Sequence, residues 1–247
     1  MLKIKDLLQC FLRTYFIGSV FNTRGLQNIG LAYALDPALR VFYKEDLKSL
    51  RKARMRYLRK VYNCHPFWSP FLVGIFLSLE QKIIKKELEL KDYQKFRPTI
   101  VYTFSAIGDS FFGGSLLPNW ALFTSIFIIL GWYKTAFFVS LILFLGLQIF
   151  KIYTFILGYK KGVLALQTLG KWNLIDVGQY IKLINTGLIL IFIDLNWIEN
   201  IHFLWNFIFL YFIFGFVLFF KKFMKIRELI LIFLFIFICF LDKFLLS

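Results

Sequence analysis

The sequence predicts an all-α integral membrane protein: a polytopic helical bundle with re-entrant or discontinuous half-helices and an N-terminal amphipathic helix. Three observations carry that expectation. Of the 247 residues, 59% are hydrophobic and 33 are phenylalanine, more large apolar bulk than a soluble core of this size can hide. The net charge of +16 is gathered into basic clusters lying between apolar runs. Several of those runs hold only 11 to 15 residues, short of the roughly 20 needed to span a bilayer.

The chain reads as one membrane unit over residues 1–247, divided into an arm (1–21), a short apolar segment with a basic helix (22–60), a core (61–187) and C-terminal helices (188–247). In the arm, Ile4, Leu7, Leu8, Phe11, Leu12, Tyr15 and Phe16 recur at helical spacing, with Lys3, Lys5, Asp6 and Arg13 on the other side. That pattern suits a helix lying in the membrane interface or docking on a partner, and it is too polar to span. No small-residue cleavage site follows, so no cleavable signal peptide is expected.

The amide-rich stretch Asn22 to Asn28, with Gln27, precedes a small-residue apolar segment ending at Asp36-Pro37. Its amides can cap a helix or exchange hydrogen bonds with sugar-like hydroxyls. From Arg40 to Lys60 there are nine basic residues against Glu45 and Asp46, a solvated helix held on the cytoplasmic side. Further clusters at Lys82–Arg97 and Lys221–Arg227 repeat the theme. Basic loops flanking apolar segments report topology and contact with anionic headgroups, which argues against nucleic acid as a partner.

Asn63-Cys64-His65-Pro66-Phe67-Trp68-Ser69-Pro70 opens the apolar run Phe71–Leu79, which is too short to span and reads as a re-entrant or half-length helix. The organising stretch is Ser105 to Pro118, where Asp109, Ser110 and Ser115 stand among three glycines and a proline between apolar runs. Irregular backbone at membrane depth survives only where it is buried in protein or lines a wet cavity. An ionisable residue there is a functional candidate by default. Further pieces follow at Trp120–Trp132, Phe137–Phe150, Leu183–Ile193, Phe203–Phe220 and Leu229–Phe240; only Phe203–Phe220 approaches full spanning length cleanly. The polar segment Gly158–Lys182 separates the central block from the C-terminal helices. Cys10, Cys64 and Cys239 are widely spaced, and His65 and His202 are the histidines, so neither a disulfide framework nor a metal site follows. No nucleophile–base–orienter set or phosphate loop is visible, and no cofactor or catalytic residue is expected.

Four motifs in order carry a family resemblance. They are Asn22…Leu26-Gln27-Asn28-Ile29-Gly30-Leu31-Ala32-Tyr33-Ala34…Pro37; Tyr62-Asn63-Cys64-His65-Pro66-Phe67…Pro70-Phe71…Gly74 with Leu79-Glu80; Ala106-Ile107-Gly108-Asp109-Ser110-Phe111-Phe112-Gly113-Gly114-Ser115-Leu116-Leu117-Pro118; and Leu157-Gly158-Tyr159-Lys160-Lys161-Gly162. Together they resemble the IID component of the mannose/fructose/sorbose-family phosphotransferase system. The sequence departs from that family's pattern at Cys64, Gly113–Ser115 and Leu117, where the family carries threonine, Trp-Gly-Thr and arginine. It also lacks a Leu-Thr-Glu-Gly-type motif near Ile175–Lys182, and the insert before the last helices is cut to about Asn196–Asn200.

The resemblance implies a multi-pass subunit of the bacterial cytoplasmic membrane. It implies pairing with a IIC subunit, assembly as a trimer of IIC–IID pairs, and movement of a hexose toward phosphorylation by IIB, itself charged by IIA. The IID chain would carry no phosphorylated residue and would not be an enzyme itself; residues 61–187 would be the transport core. Asp109, Ser110, Gln27, Asn28, Asn22, Asn63 and His65 are the expected sugar-binding residues. For Asp109 the competing role is a helix cap; for the amides it is capping or pairing with IIC. The alternative for the whole chain is a non-transporting scaffold or regulatory paralogue that binds IIC.

Overall fold

The computed structural model describes residues 2–196 and Phe212. The chain divides into two compact units, residues 1–182 and 183–247. Among the described residues the structure is helical throughout, with isolated bridges where Asn22 pairs with Leu26 and Leu26 with Tyr62. Expectations for Trp197, His202, Trp205, Tyr211, the Phe203–Phe220 and Leu229–Phe240 runs, the basic cluster at 221–227 and Cys239 lie outside these residues.

Helix α1 (Ile4–Arg13) begins where the Asp6 carboxylate accepts from the Lys3 backbone N–H at 2.9 Å, a negative group at a helix N-terminus. Cys10 and Phe11 are buried, and the helix docks along α2 (Asn28–Phe42). Ile4, Leu8 and Leu12 remain outside at 84%, 54% and 51% exposure. The arm is therefore apolar on two sides, one packed inward and the other free to lie in an interface. A short 3₁₀ turn (Thr14–Ser19) returns the chain to α2.

The basic helix α3 (Leu47–Leu58) starts at Asp46, whose carboxylate accepts from the Ser49 backbone N–H at 3.0 Å. Its inner face carries Leu50, Ala53 and Tyr57. Helix α4 (Ser69–Ile84) is the centre of the first unit: residues 69–80 are all buried. At 16 residues it is too short to span. Pro70 occupies its first turn, where the missing N–H costs nothing.

Helix α4 packs along α7 (Tyr133–Lys161) through paired glycines. A Cβ built on Gly74 would stand 2.3 Å from the Phe155 carbonyl oxygen, and one on Gly158 2.5 Å from that of Phe71. Small residues at such a crossing let two backbones touch, the way membrane helices associate when lipid supplies no hydrophobic drive between them.

The central stretch differs from its expected form. Helix α5 (Leu90–Gly108), a π-helical segment (Asp109–Leu116) and α6 (Leu117–Ile129) run on as one 40-residue helix. The glycines and Pro118 do not break the helix; they relax it into wider turns. A π segment absorbs extra residues while keeping the backbone hydrogen-bonded, which the apolar surroundings demand. Helix α8 (Ala165–Gly170) and α9 (Leu174–Asn196) follow α7.

Among the described residues, three helical stretches are long and apolar enough to cross a membrane: Leu90–Ile129, Tyr133–Gly170 and Leu174–Ile193. The expectation that only Phe203–Phe220 reaches full length is corrected here. The short apolar pieces are cores of longer helices whose polar residues belong to the same spans: Asp109 in the first, Lys151 in the second, Asp176 and Lys182 in the third. The Gly158–Lys182 segment likewise contributes the end of α7, all of α8 and the start of α9.

Candidate functional site

Two polar features converge near the π segment. Asp109 is its first residue and is solvent-exposed in the chain. Gly108, immediately before it, lets the α5 backbone close on the 65–68 turn: a Cβ there would stand 2.4 Å from the His65 Cβ and 2.9 Å from the Trp68 ring. The His65 ring stacks on Phe112, with centroids 5.1 Å apart and planes 20° apart. His65 and Asp109 are thus brought together from stretches more than forty positions apart. Burial pushes the His65 imidazole below its ordinary value of 6.5; the Asp109 carboxylate opposes this and the Lys151 ammonium reinforces it. At neutral pH His65 is a neutral ring able to donate from one nitrogen and accept at the other.

Ser110 sits one residue on. Its carbonyl accepts from the Ser115 hydroxyl at 2.9 Å, five residues along the π turn, and its hydroxyl receives the Lys182 ammonium at 3.3 Å. Lys182 comes from α9, whose Gly178 lies against Ser115. The site therefore presents a carboxylate, a hydroxyl, an imidazole and an ammonium around one relaxed turn.

The sequence reading missed Lys151. It lies in α7 at 7% exposure, its ammonium 4.1 Å from the centre of the Tyr15 ring and 5.1 Å from that of Phe67. Two aromatic faces stabilise a desolvated cation electrostatically. The signal was present: one lysine within the long apolar run from Phe137 to Leu157, where any ionisable residue is a candidate.

The amides take a different place. Asn22 donates to Leu26 O at 3.0 Å and to Asn28 Oδ1 at 2.8 Å, and it accepts from the Gly25 backbone N–H at 2.8 Å. Asn28 donates to Leu58 O, and Gln27 accepts from the Cys64 backbone N–H at 3.1 Å while its own backbone N–H donates to Tyr62 O at 2.8 Å. These three residues stitch the 22–28 loop to the 58–64 connection, which holds the His65 turn in place. Asn63 is half-buried within that connection, two residues before His65.

A second missed feature is Glu80, fully buried near the end of α4. Its carboxylate accepts from Arg56 at 2.7 Å, Tyr57 at 2.6 Å and Tyr43 at 2.9 Å, and Tyr93 donates to Tyr57 at 3.0 Å. Burial, with Glu80 beside it, raises the Tyr43 phenol to about 12, and the same causes hold Tyr57 well above its ordinary value. Both stay protonated donors.

An apolar cavity of about 300 Å³ opens beside the site between α5 and α8, lined by Trp68, Thr99, Thr103, Ile107, Leu169 and Asn173 among others. The Trp68 indole N–H is buried and has no hydrogen-bond partner among the described residues.

Comparisons with known proteins agree with this architecture. Residues 1–191 match the family model of the PTS system mannose/fructose/sorbose family IID component. The mannose-specific EIID component of Escherichia coli K12 is 26% identical over 117 residues, which are 47% of this chain and 41% of that protein. The fructose permease IID component of Bacillus subtilis 168 is 24% identical over 115 residues, 46% and 41% of the two chains. The matched stretch thus spans well under half the length of these relatives. Among solved structures, one titled as a membrane protein superposes with a TM-score of 0.67 at 22% identity, covering 76% of this chain and 70% of its own. A chain from the complex of the mannose transporter ManYZ with microcin E492 does so with a TM-score of 0.60 at 22% identity, covering 77% and 70%. With its motifs, its helical order and a family match over residues 1–191, the chain belongs to the IID components of the mannose/fructose/sorbose-family phosphotransferase system.

Proposed function

We propose that this chain is the IID subunit of a sugar-translocating permease of the bacterial cytoplasmic membrane. It pairs with a IIC subunit, as a trimer of such pairs, and moves a hexose toward phosphorylation by IIB, which IIA charges. It carries no phosphorylated residue of its own. The observation that carries this reading is the π-helical turn at Asp109–Leu116 inside an otherwise continuous membrane helix, with Asp109 exposed at its start. Such bulges accompany functional sites because they aim side chains that regular turns would not.

In this reading Asp109 accepts two sugar hydroxyls, Ser110 and the neutral His65 ring exchange single hydrogen bonds, and Asn63 completes the rim. Asn22, Gln27 and Asn28 bear on the sugar through the turn they brace. The test is uptake by the assembled permease carrying Asp109→Asn. A loss of about tenfold or more is expected, from one charge-assisted hydrogen bond weakened. Near-normal uptake with intact assembly would overturn the role of Asp109. It would favour the scaffold reading, in which the chain binds IIC without turnover, and the internal engagement of the three amides suits that reading.

A further inference from the structure

The stripe of α7 that meets the N-terminal arm runs through Gln148, Lys151 and Phe155, the i, i+3, i+7 spacing of one helix face. The Tyr15 hydroxyl donates to Gln148 Oε1 at 2.7 Å, and Phe11 meets Phe155 with ring centroids 5.4 Å apart. Between these two contacts the Lys151 ammonium lies over the Tyr15 ring. Lys151 is buried in an apolar span, and among the described residues no carboxylate stands within ion-pair distance of it. A snorkelling lysine carries its head out to the interface. This one holds it against two rings from separate parts of the chain, Tyr15 of the arm and Phe67 of the connection before α4. Each ring face attracts the cation, most strongly where water is excluded.

Phe67 carries the link on to the site. Its backbone N–H donates to His65 Nδ1 at 3.4 Å, its ring centroid is 5.2 Å from that of His65, and it meets Phe112 of the π segment edge-on at 4.9 Å. Trp68 and Ser69 close the same turn by donating their backbone N–H groups to the His65 carbonyl at 2.9 and 3.2 Å. A displacement of Phe67 therefore moves the His65 ring and its stacking partner with it.

From these contacts we infer that Lys151 is a positioning residue of the candidate site, the cation through which the Tyr15 ring of the arm holds the turn that carries His65. The link depends on charge: methionine at 151 would fill a similar volume without drawing either ring to it. The arm that makes the link keeps Ile4, Leu8 and Leu12 exposed on its other side, so a helix suited to the membrane interface is tied to a polar turn of the core. The consequence for sugar binding rests on the function proposed above; the coupling of arm to turn stands on the contacts alone.

The test uses the full chain purified with whatever membrane partner it holds. Backbone hydrogen exchange is read by mass spectrometry on peptides spanning Trp68 and Ser69, with residues 73–79 of α4 as the internal control. Tyr15→Leu, which removes the ring, should speed exchange in the turn about tenfold, and Lys151→Met should do the same. The double variant should exchange no faster than either single one, because both break the same link. Tyr15→Phe keeps the ring and loses the hydroxyl, and it should stay close to the wild-type rate. The inference fails if the turn exchanges at the wild-type rate in Tyr15→Leu, if the two effects multiply in the double variant, or if Tyr15→Phe matches Tyr15→Leu. It fails equally if the α4 control speeds up as much as the turn, which marks general loosening. In the assembled permease, Tyr15→Leu and Lys151→Met should raise KM for hexose by the same several-fold factor with little change in maximal rate. Faster exchange in the turn beside an unchanged KM, or a wild-type complex that takes up no sugar, would overturn the role of the turn in sugar binding and leave the coupling of arm to turn standing.

Discussion

Three ionisable residues (His65, Asp109 and Lys151) share one neighbourhood, and each is set by a different local cause. His65 is held near Asp109 because glycine at 108 permits the approach. Its imidazole lies below 6.5 in the folded chain, mainly through burial, so the unfolded chain binds more protons than the folded one as pH falls through that value. Stability attributable to His65 is therefore intact above about pH 6.5 and declines on acidification below it. Melting curves of the complex between pH 7.5 and 5 should show this decline, and His65→Gln should flatten it; an unchanged slope would remove His65 as the cause. Glu80 is the other residue with a definite energetic consequence. Glu80→Gln removes one partner of a buried ion pair, and about 3–5 kcal/mol of destabilisation is expected because Arg56 is left buried and uncompensated. Chemical denaturation that finds a loss below about 1 kcal/mol would mean that the tyrosines alone hold that corner.

Between elements, the α4–α7 crossing is decided by backbone proximity. A methyl group placed on Gly74 or Gly158 would come within 3 Å of a carbonyl oxygen of the opposite helix. Gly74→Ala must push the helices apart, and an overpacking cost of about 1–3 kcal/mol is expected. Thermal unfolding of the purified complex measures it, with Gly113→Ala as a control, since nothing lies within 4 Å of a Cβ there. A control as damaging as Gly74→Ala would show that the crossing is not the cause, since alanine is the better helix former. The π segment is the second element-scale decision: α5, the π turn and α6 stay one helix while Ser110 meets Lys182 and Asp109 stands within electrostatic reach of His65.

For the whole molecule, among the described residues Phe137, Ile142 and Ile149 of α7 are 62%, 68% and 66% exposed. In a membrane such a surface is covered by lipid or by a neighbouring helix. Expressed alone, the chain should aggregate or be degraded, and co-expression with the proposed IIC subunit should yield a monodisperse species by size-exclusion chromatography in detergent. A well-behaved isolated monomer would count against obligate pairing.

Much of this was legible in the order of residues. Hydrophobic composition and charge clustering determined the membrane class, the spacing of Ile4 to Phe16 determined the amphipathic arm, and four motifs pointed to the family, because these signals are local. Gly74 and Gly158 stood in those motifs, but only packing assigned them to one crossing. Tertiary structure alone decided that the Ser105–Pro118 stretch stays helical, with a π segment at Asp109–Leu116, since backbone hydrogen bonding in an apolar setting outweighs the glycines' freedom. It alone engaged Asn22, Gln27 and Asn28 with a distant connection, buried Lys151 between two aromatic rings and gathered Arg56 and three tyrosines around Glu80. Those outcomes depend on pairs of groups far apart in the chain, whose meeting no local pattern encodes.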